Sequence, residues 1–180
     1  MDTKENIQQT FVRQYAQKDY AMMTIKDLCA AVPIARTTFY TYYDNLDDLK
    51  TEIEDNLIMG LLNVVNEIAD GDIEKMIFAE FLDATQCYIQ AHWDTFDTFL
   101  IRQPNLRFID KWKAAIKQNF KKRYPDKISL PNYDLIAEML ASATISAYSY
   151  WMQNPSKVNT EEMKKLIAQA LETIVKLLEL

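Results

Sequence analysis

The sequence predicts an all-α protein in two parts: an amino-terminal three-helix unit with helix-turn-helix punctuation, then a larger carboxy-terminal helical bundle. Three observations carry that prediction. Only two glycines and five prolines stand in 180 residues, too few turn-formers for a many-stranded sheet. Apolar residues recur at i, i+3, i+4 through most of the chain, the period of a helix with one buried face. Residues 24–49, TIKDLCAAVPIARTTFYTYYDNLDDL, hold two short helical patterns separated by Val32-Pro33-Ile34 and followed by a new start signal at Asp44-Asn45.

The first helix is expected from about Thr3 to Gln17, with Ile7, Phe11 and Tyr15 on one face and Val12 beside them. Thr24 caps the next, and Thr24-Ile25-Lys26-Asp27 approximates a capping box. Ile25, Leu28 and Cys29 form its buried side, to about Ala31. Pro33 lacks an N–H and pushes Val32 out of the α region, so the chain must turn there. A third helix runs from about Ala35 to Tyr42, turning Phe39 inward and exposing Arg36, Thr37, Thr38 and Thr41. Short hydroxyl side chains at a helix start suit a DNA major groove about 12 Å wide, and Arg36 suits a guanine or a phosphate.

A long helix follows from about Leu46, carrying Leu49, Ile53, Leu57, Leu61 and Val64, with Gly71 as its expected cap. Glu52 and Glu54 read as its solvated face. Ile73, Met76, Ile77, Phe81, Ala84 and Tyr88 mark a helix to about His92, and a short one follows from Asp94 to Ile101. Phe108, Trp112, Ile116 and Phe120 line one face of the next, with Lys113, Lys117 and Lys121 on a face read as solvated. After a loop from Pro125 to Pro131 come two long helices, about Tyr133 to Met152 and Thr160 to Leu178. Their apolar stripes suit either a bundle within one chain or a four-helix interface with a second copy.

Composition narrows the function classes. With 49% hydrophobic and 26% charged residues the chain is globular rather than disordered. No apolar run reaches the roughly 18 residues of a membrane span, and MDTKENIQQ is no signal sequence. Cys29 and Cys87 fall inside amphipathic patterns and read as reduced core thiols of a cytoplasmic protein. The net charge of −6 excludes a broad nucleic-acid binder, so any DNA site must be local. Even residues 1–50 carry six cations against seven anions.

Catalytic and cofactor chemistry finds no foothold. His92 is the single histidine, with no second one beside which to hold a metal, and Gly60 and Gly71 alone cannot build a phosphate loop. The expectation is no enzyme, no cofactor and no metal. Tyr88, Trp93, Phe96, Phe99, Trp112, Tyr148 and Trp151 could enclose a small apolar effector, or could simply be core.

Thr24-Ile25-Lys26-Asp27-Leu28, Ala30-Ala31, then Ala35-Arg36-Thr37-Thr38-Phe39-Tyr40, Tyr43 and Asp48-Leu49 resemble the DNA-binding domain of the TetR family of bacterial transcriptional regulators. The resemblance covers the first quarter to third of the chain. It implies a DNA-binding domain at 1–46 and a helical domain at 47–180 for dimerisation and ligand binding. It also implies a homodimer on a palindromic operator, acting as a repressor. Thr24 would then cap a helix on the DNA backbone, Arg36, Thr37 and Thr38 would open the recognition helix, Tyr40 would contact a phosphate, and Tyr42 would lie near the backbone or a base. Phe39 and Tyr43 would be core. The implied dimer interface draws on Ala143, Ala147, Tyr150, Leu166, Ile167, Ala170, Leu171 and Ile174.

Three departures stand out. Val32-Pro33 replaces the family's turn glycine, Leu46 replaces a lysine that meets a phosphate, and the amino-terminal arm is poor in basic residues. They motivate an alternative, a TetR-like protein whose DNA contacts have eroded and which acts through a protein partner.

Overall fold

The computed structural model describes residues 2–68 and 78–177, and no strand occurs among them. The helices are α1 (Thr3–Tyr15), α2 (Ile25–Ala31), α3 (Arg36–Tyr40), α4 (Leu46–Ile68), α5 (Phe78–Ala91), α6 (Trp93–Asp97), α7 (Leu106–Arg123), α8 (Tyr133–Gln153) and α9 (Thr160–Lys176). The expected Gly71 cap and the positions of Ile73, Met76 and Ile77 lie outside the described residues. Among the described residues no helix is long and apolar enough to cross a membrane.

Packing groups the chain into two units, residues 1–57 with 92–105, and residues 58–91 with 106–180. Helix α4 begins in the first and ends in the second. The expected boundary at 46–47 coincides with the start of α4, whereas the first unit also holds the first half of α4 and the return of residues 92–105.

In the first unit, Ile7 and Phe11 of α1, Leu28 of α2, Phe39 of α3, Leu49 of α4 and Phe96 of α6 are fully buried. Each such side chain contributes roughly 1.5–3 kcal/mol by leaving water. Rings dominate the join: Phe11 stacks on Tyr15 at 5.7 Å, and Tyr15 meets Phe99 edge-on at 5.5 Å. Phe99 lies in a single wide turn, Thr98–Arg102, closed by the Gln103 N–H on the Thr98 carbonyl. The Asn105 side-chain amide donates to Glu54 Oε1 at 2.6 Å, and the Gln103 amide donates to the Lys18 carbonyl. Glu54 is thus fully buried, against the expectation of a solvated carboxylate. It shares the i, i+3, i+4, i+7 register of Leu57, Ile58 and Leu61, so the stripe itself runs through it.

In the second unit, Leu82, Ile89, Phe108, Trp112, Leu140, Tyr148, Trp151 and Leu171 form the centre of the core. On α4 it is Val65 rather than Val64 that is buried. Gly60 allows α5 to approach, since a Cβ there would lie 1.8 Å from Tyr88 Oη. Glu138 of α8 accepts from Lys113 and Lys117 of α7 at 2.7 and 2.8 Å. Those two lysines therefore bind the neighbouring helix, a correction to the solvated row; Lys121 is exposed. Cys87 is exposed too, correcting its placement in the core, while Cys29 is buried; both thiols are free.

Candidate nucleic-acid interface

The α2–α3 hairpin is built by local signals. Thr24 Oγ1 accepts from the Asp27 N–H at 3.1 Å and caps α2. At the other end of α2 the Ile34 N–H bonds the Cys29 carbonyl and the Val32 N–H bonds the Leu28 carbonyl, both at 3.0 Å. A bond reaching back five residues is the outer bond of a Schellman turn, which places residue 33 at the position that favours a left-handed backbone. Pro33 has φ +28°. That position ordinarily takes glycine, whose N–H would bond the carbonyl three residues back; proline offers none.

Helix α3 follows, shorter than the expected span of 35–42, with Ala35 as its N-cap. It ends with Thr41 Oγ1 donating to the Thr38 carbonyl at 2.7 Å. Phe39 and Tyr43 are buried with ring centroids 5.7 Å apart, which fixes the roll of the helix. The opposite side carries Arg36, Thr37, Tyr40, Thr41 and Tyr42, all exposed, with Thr38 half-buried. Tyr40 rests edge-on against Phe39 at 5.6 Å and is still 53% exposed, so its ring is held while its hydroxyl reaches solvent. Thr24 is exposed on the neighbouring helix start.

The support behind this face is polar as well as aromatic. Gln8 of α1 donates to Tyr43 Oη at 3.0 Å, and Lys4 pairs with Glu52 of α4. Burial, reinforced by its hydrogen bond to the Glu52 carboxylate, raises the Tyr43 pKa far above the ordinary phenol range, so Tyr43 stays neutral. Burial likewise raises the Cys29 thiol pKa, with the nearby Arg36 charge pulling the other way. Asn45 caps α4 by accepting from the Asp47 and Asp48 N–H groups at 2.8 and 2.9 Å. Leu46 is the first residue of that helix and is half-buried. Lys50 lies over the Tyr15 and Tyr20 rings, at 5.1 and 4.7 Å. The cations of this unit are therefore partly engaged internally, while Arg36 of α3 and Lys26 of α2 are exposed.

The two other residue sets expected from sequence fare differently. Of the aromatic pocket, Phe96, Phe99, Tyr148, Trp112 and Trp151 are buried, and Tyr88 and Trp93 are half-buried. Trp112 stacks on Tyr148 at 6.0 Å and Tyr148 Oη donates to the Leu82 carbonyl at 3.0 Å, so these rings are core members that fill space. A partly open cavity of about 40 Å³ lies elsewhere in the second unit. It sits among Phe78, Phe81, Phe120, Asn119 and Arg123, and sequence reasoning missed it. Of the dimer set, Tyr150, Leu166 and Ala170 are exposed and Ala143, Ala147 and Ile174 half-buried. Ile167 and Leu171 point into their own unit's core, which corrects their assignment to an interface. Among the described residues no group of three His, Cys, Asp or Glu side chains could hold a metal.

No protein-family model and no curated protein matches the chain. Solved structures do. A TetR transcriptional regulator from Streptococcus agalactiae is similar with a TM-score of 0.70 and 21% identity, over 94% of this chain and 93% of that one. The TetR-family regulator PfmR from Thermus thermophilus gives 0.63 and 14%, over 97% and 96%. The dihydroxyacetone kinase operon activator DhaS gives 0.59 and 17%, over 98% and 96%. The chain has the fold of these proteins, two of them TetR regulators, along nearly its whole length.

Proposed function

We propose that this chain, built on the TetR-type all-α fold, is a transcription regulator that binds a palindromic operator as a homodimer. The observation that carries the reading is the α3 face. Five exposed side chains able to donate or accept hydrogen bonds, Arg36, Thr37, Tyr40, Thr41 and Tyr42, project from α3 and the turn that ends it, held by Phe39 and Tyr43. Such a face suits the major groove, with Arg36 reading a guanine edge or a phosphate and Tyr40 and Tyr42 on the backbone.

Two copies are needed to read a palindrome, with half-sites about 34 Å apart or a multiple of that. Exposed apolar side chains on α8 and α9 support the pairing: Leu135, Met139 and Tyr150 on one, Leu166 and Ala170 on the other. A second copy is the occupant proposed for that face. A dimer seated on a promoter blocks polymerase, so repression is the expected sign, and a small effector would act by changing the spacing or tilt of the two recognition helices through α4.

The test is protection of upstream-region DNA by wild type and by an Arg36→Ala, Tyr40→Ala double variant. Losing two phosphate contacts reduces the slope of log affinity against log salt by about 1.8, from roughly 0.9 per contact. Equal protection by both proteins refutes the residue assignment. A second reading, action through a protein partner, draws on Leu46 and on Lys4 and Lys50 being engaged within the unit. Saturable, sequence-selective binding at low salt rejects it, and absence of such binding rejects the operator reading.

A further inference from the structure

Helix α9 buries Met163, Ile167 and Leu171 in its own unit and turns Leu166, Ala170 and Thr173 outward. Beside that outward stripe runs an edge of Glu162, Gln169 and Lys176, all exposed and seven residues apart. Seven residues make almost two full turns, so these three stand in one row along the helix. Among the described residues neither Glu162 nor Lys176 has an ion-pair partner within the chain, whereas Lys164, on the other side of the helix, pairs with Asp83 and Glu161.

Such a row has a direction, because its ends carry opposite charges at equal distances from Gln169, about 10 Å along the axis. Two copies of α9 running the same way would set Glu162 against Glu162 and Lys176 against Lys176. Running antiparallel about a two-fold axis at Gln169, each Glu162 meets Lys176 of the other copy, and Leu166 lies beside the small Ala170 of the other copy near the centre. Edge charges of this kind set partner choice and orientation. The helix dipole by itself favours an acid in the first turn and a base in the last, as Glu162 and Lys176 stand. It does not account for Lys165 and Glu172, which are exposed further out on the same side in the reverse order, four residues before and three after Gln169, and which also face each other across the axis. The outward stripe of α8, Leu135, Met139, Ser146 and Tyr150, holds no charge, so the choice of partner falls to α9.

We propose that α9 pairs antiparallel with α9 of a second copy about Gln169, each Glu162 on Lys176 of the other, and that this charged row makes the chain select its own copy. The pairing rests on the homodimer reading above and does not depend on the operator.

Analytical sedimentation of the full chain gives the dimer dissociation constant for wild type, Glu162→Lys, Lys176→Glu and an equimolar mixture of the two variants. Each variant alone sets like charges together at both ends and dimerises about thirtyfold more weakly, two exposed junctions turned from attraction to repulsion. The mixture sets opposite charges together at both ends and recovers to within about threefold of wild type, which a change in helix stability alone would not produce. Cross-linking needs neither variant: in a Cys87→Ser chain, a short bis-maleimide joins Gln169→Cys to its copy and leaves Glu162→Cys, about 21 Å from its counterpart, unjoined. A monomeric wild type overturns this pairing and the homodimer reading together. A dimeric wild type in which Gln169→Cys is not joined, or Glu162→Cys joins as readily, or whose folded charge variants fail to recover on mixing, overturns the pairing and leaves the homodimer reading standing.

Discussion

Replacing Pro33 by glycine should make the protein more stable, against the usual rule that loop prolines stabilise. Three effects compete. The Ile34 N–H bond to the Cys29 carbonyl puts residue 33 where the turn wants a left-handed backbone, which a proline ring opposes, and a residue in so disfavoured a region costs on the order of 1–3 kcal/mol or more. Glycine also restores the missing inner bond of the turn, its N–H to the Ala30 carbonyl, worth about 0.5–1.5 kcal/mol net. Against these, the more flexible unfolded chain costs about 1 kcal/mol. The balance is a gain of roughly 0.5–3.5 kcal/mol, which at about 2–4 °C per kcal/mol for a chain of this size raises Tm by about 1–14 °C. A Pro33→Ala control restores the N–H but keeps a Cβ at a left-handed position, so it should melt between the two. Calorimetric melts of the three proteins decide the matter. A glycine variant melting at or below wild type refutes the strained-turn argument.

Two further substitutions follow from the second unit. Gly60→Ala should destabilise by up to about 2 kcal/mol, an overpacking cost of about 1–3 kcal/mol where the added Cβ meets the Tyr88 ring less a helix-propensity gain of about 1 kcal/mol; in a Tyr88→Leu background the sign should reverse, and a loss persisting there counts against the contact. Lys113 and Lys117 lower the Glu138 pKa from its ordinary 4.5 to about 2, so its ion pairs stabilise fully above pH 4.5 and fade as pH falls toward 2. With the side chain 40% exposed, solvent screening limits that to about 1 kcal/mol or less, and the Tm difference between wild type and Glu138→Gln should shrink over the same interval; a difference constant from pH 6 to 2 refutes it.

What could be read from the chain was local. Thr24, the break at Pro33 and Asn45 act within a few residues of themselves, and each helix boundary they set lies within two or three positions of expectation. Phe39 was legible as inward-facing for the same reason, whereas Tyr43 was assigned to the core through the family resemblance. What escaped depends on partners far along the chain. The burial of Glu54 requires Asn105, and the Lys113 and Lys117 pairing requires Glu138. Helix α9 shows the limit of periodicity: Met163, Ile167 and Leu171 make one stripe and Leu166 and Ala170 another, so one i, i+3, i+4 series covers both an inward and an outward side. The cavity at Asn119 follows from the walls around it, which no stretch of sequence contains.

The Glu54–Asn105 bond spans 51 residues and closes a unit that is discontinuous in sequence. During synthesis at about 5–20 residues per second, Glu54 is made roughly 3–10 s before Asn105 exists. Over that interval the nascent head carries an acidic side chain bound for its apolar interior and lacks Phe96 and Phe99 to complete the packing. The amino-terminal segment is therefore not a module that ripens first and waits; its completion is timed by the arrival of residues 92–105, and a chain stopped before them ends with an unfinished head.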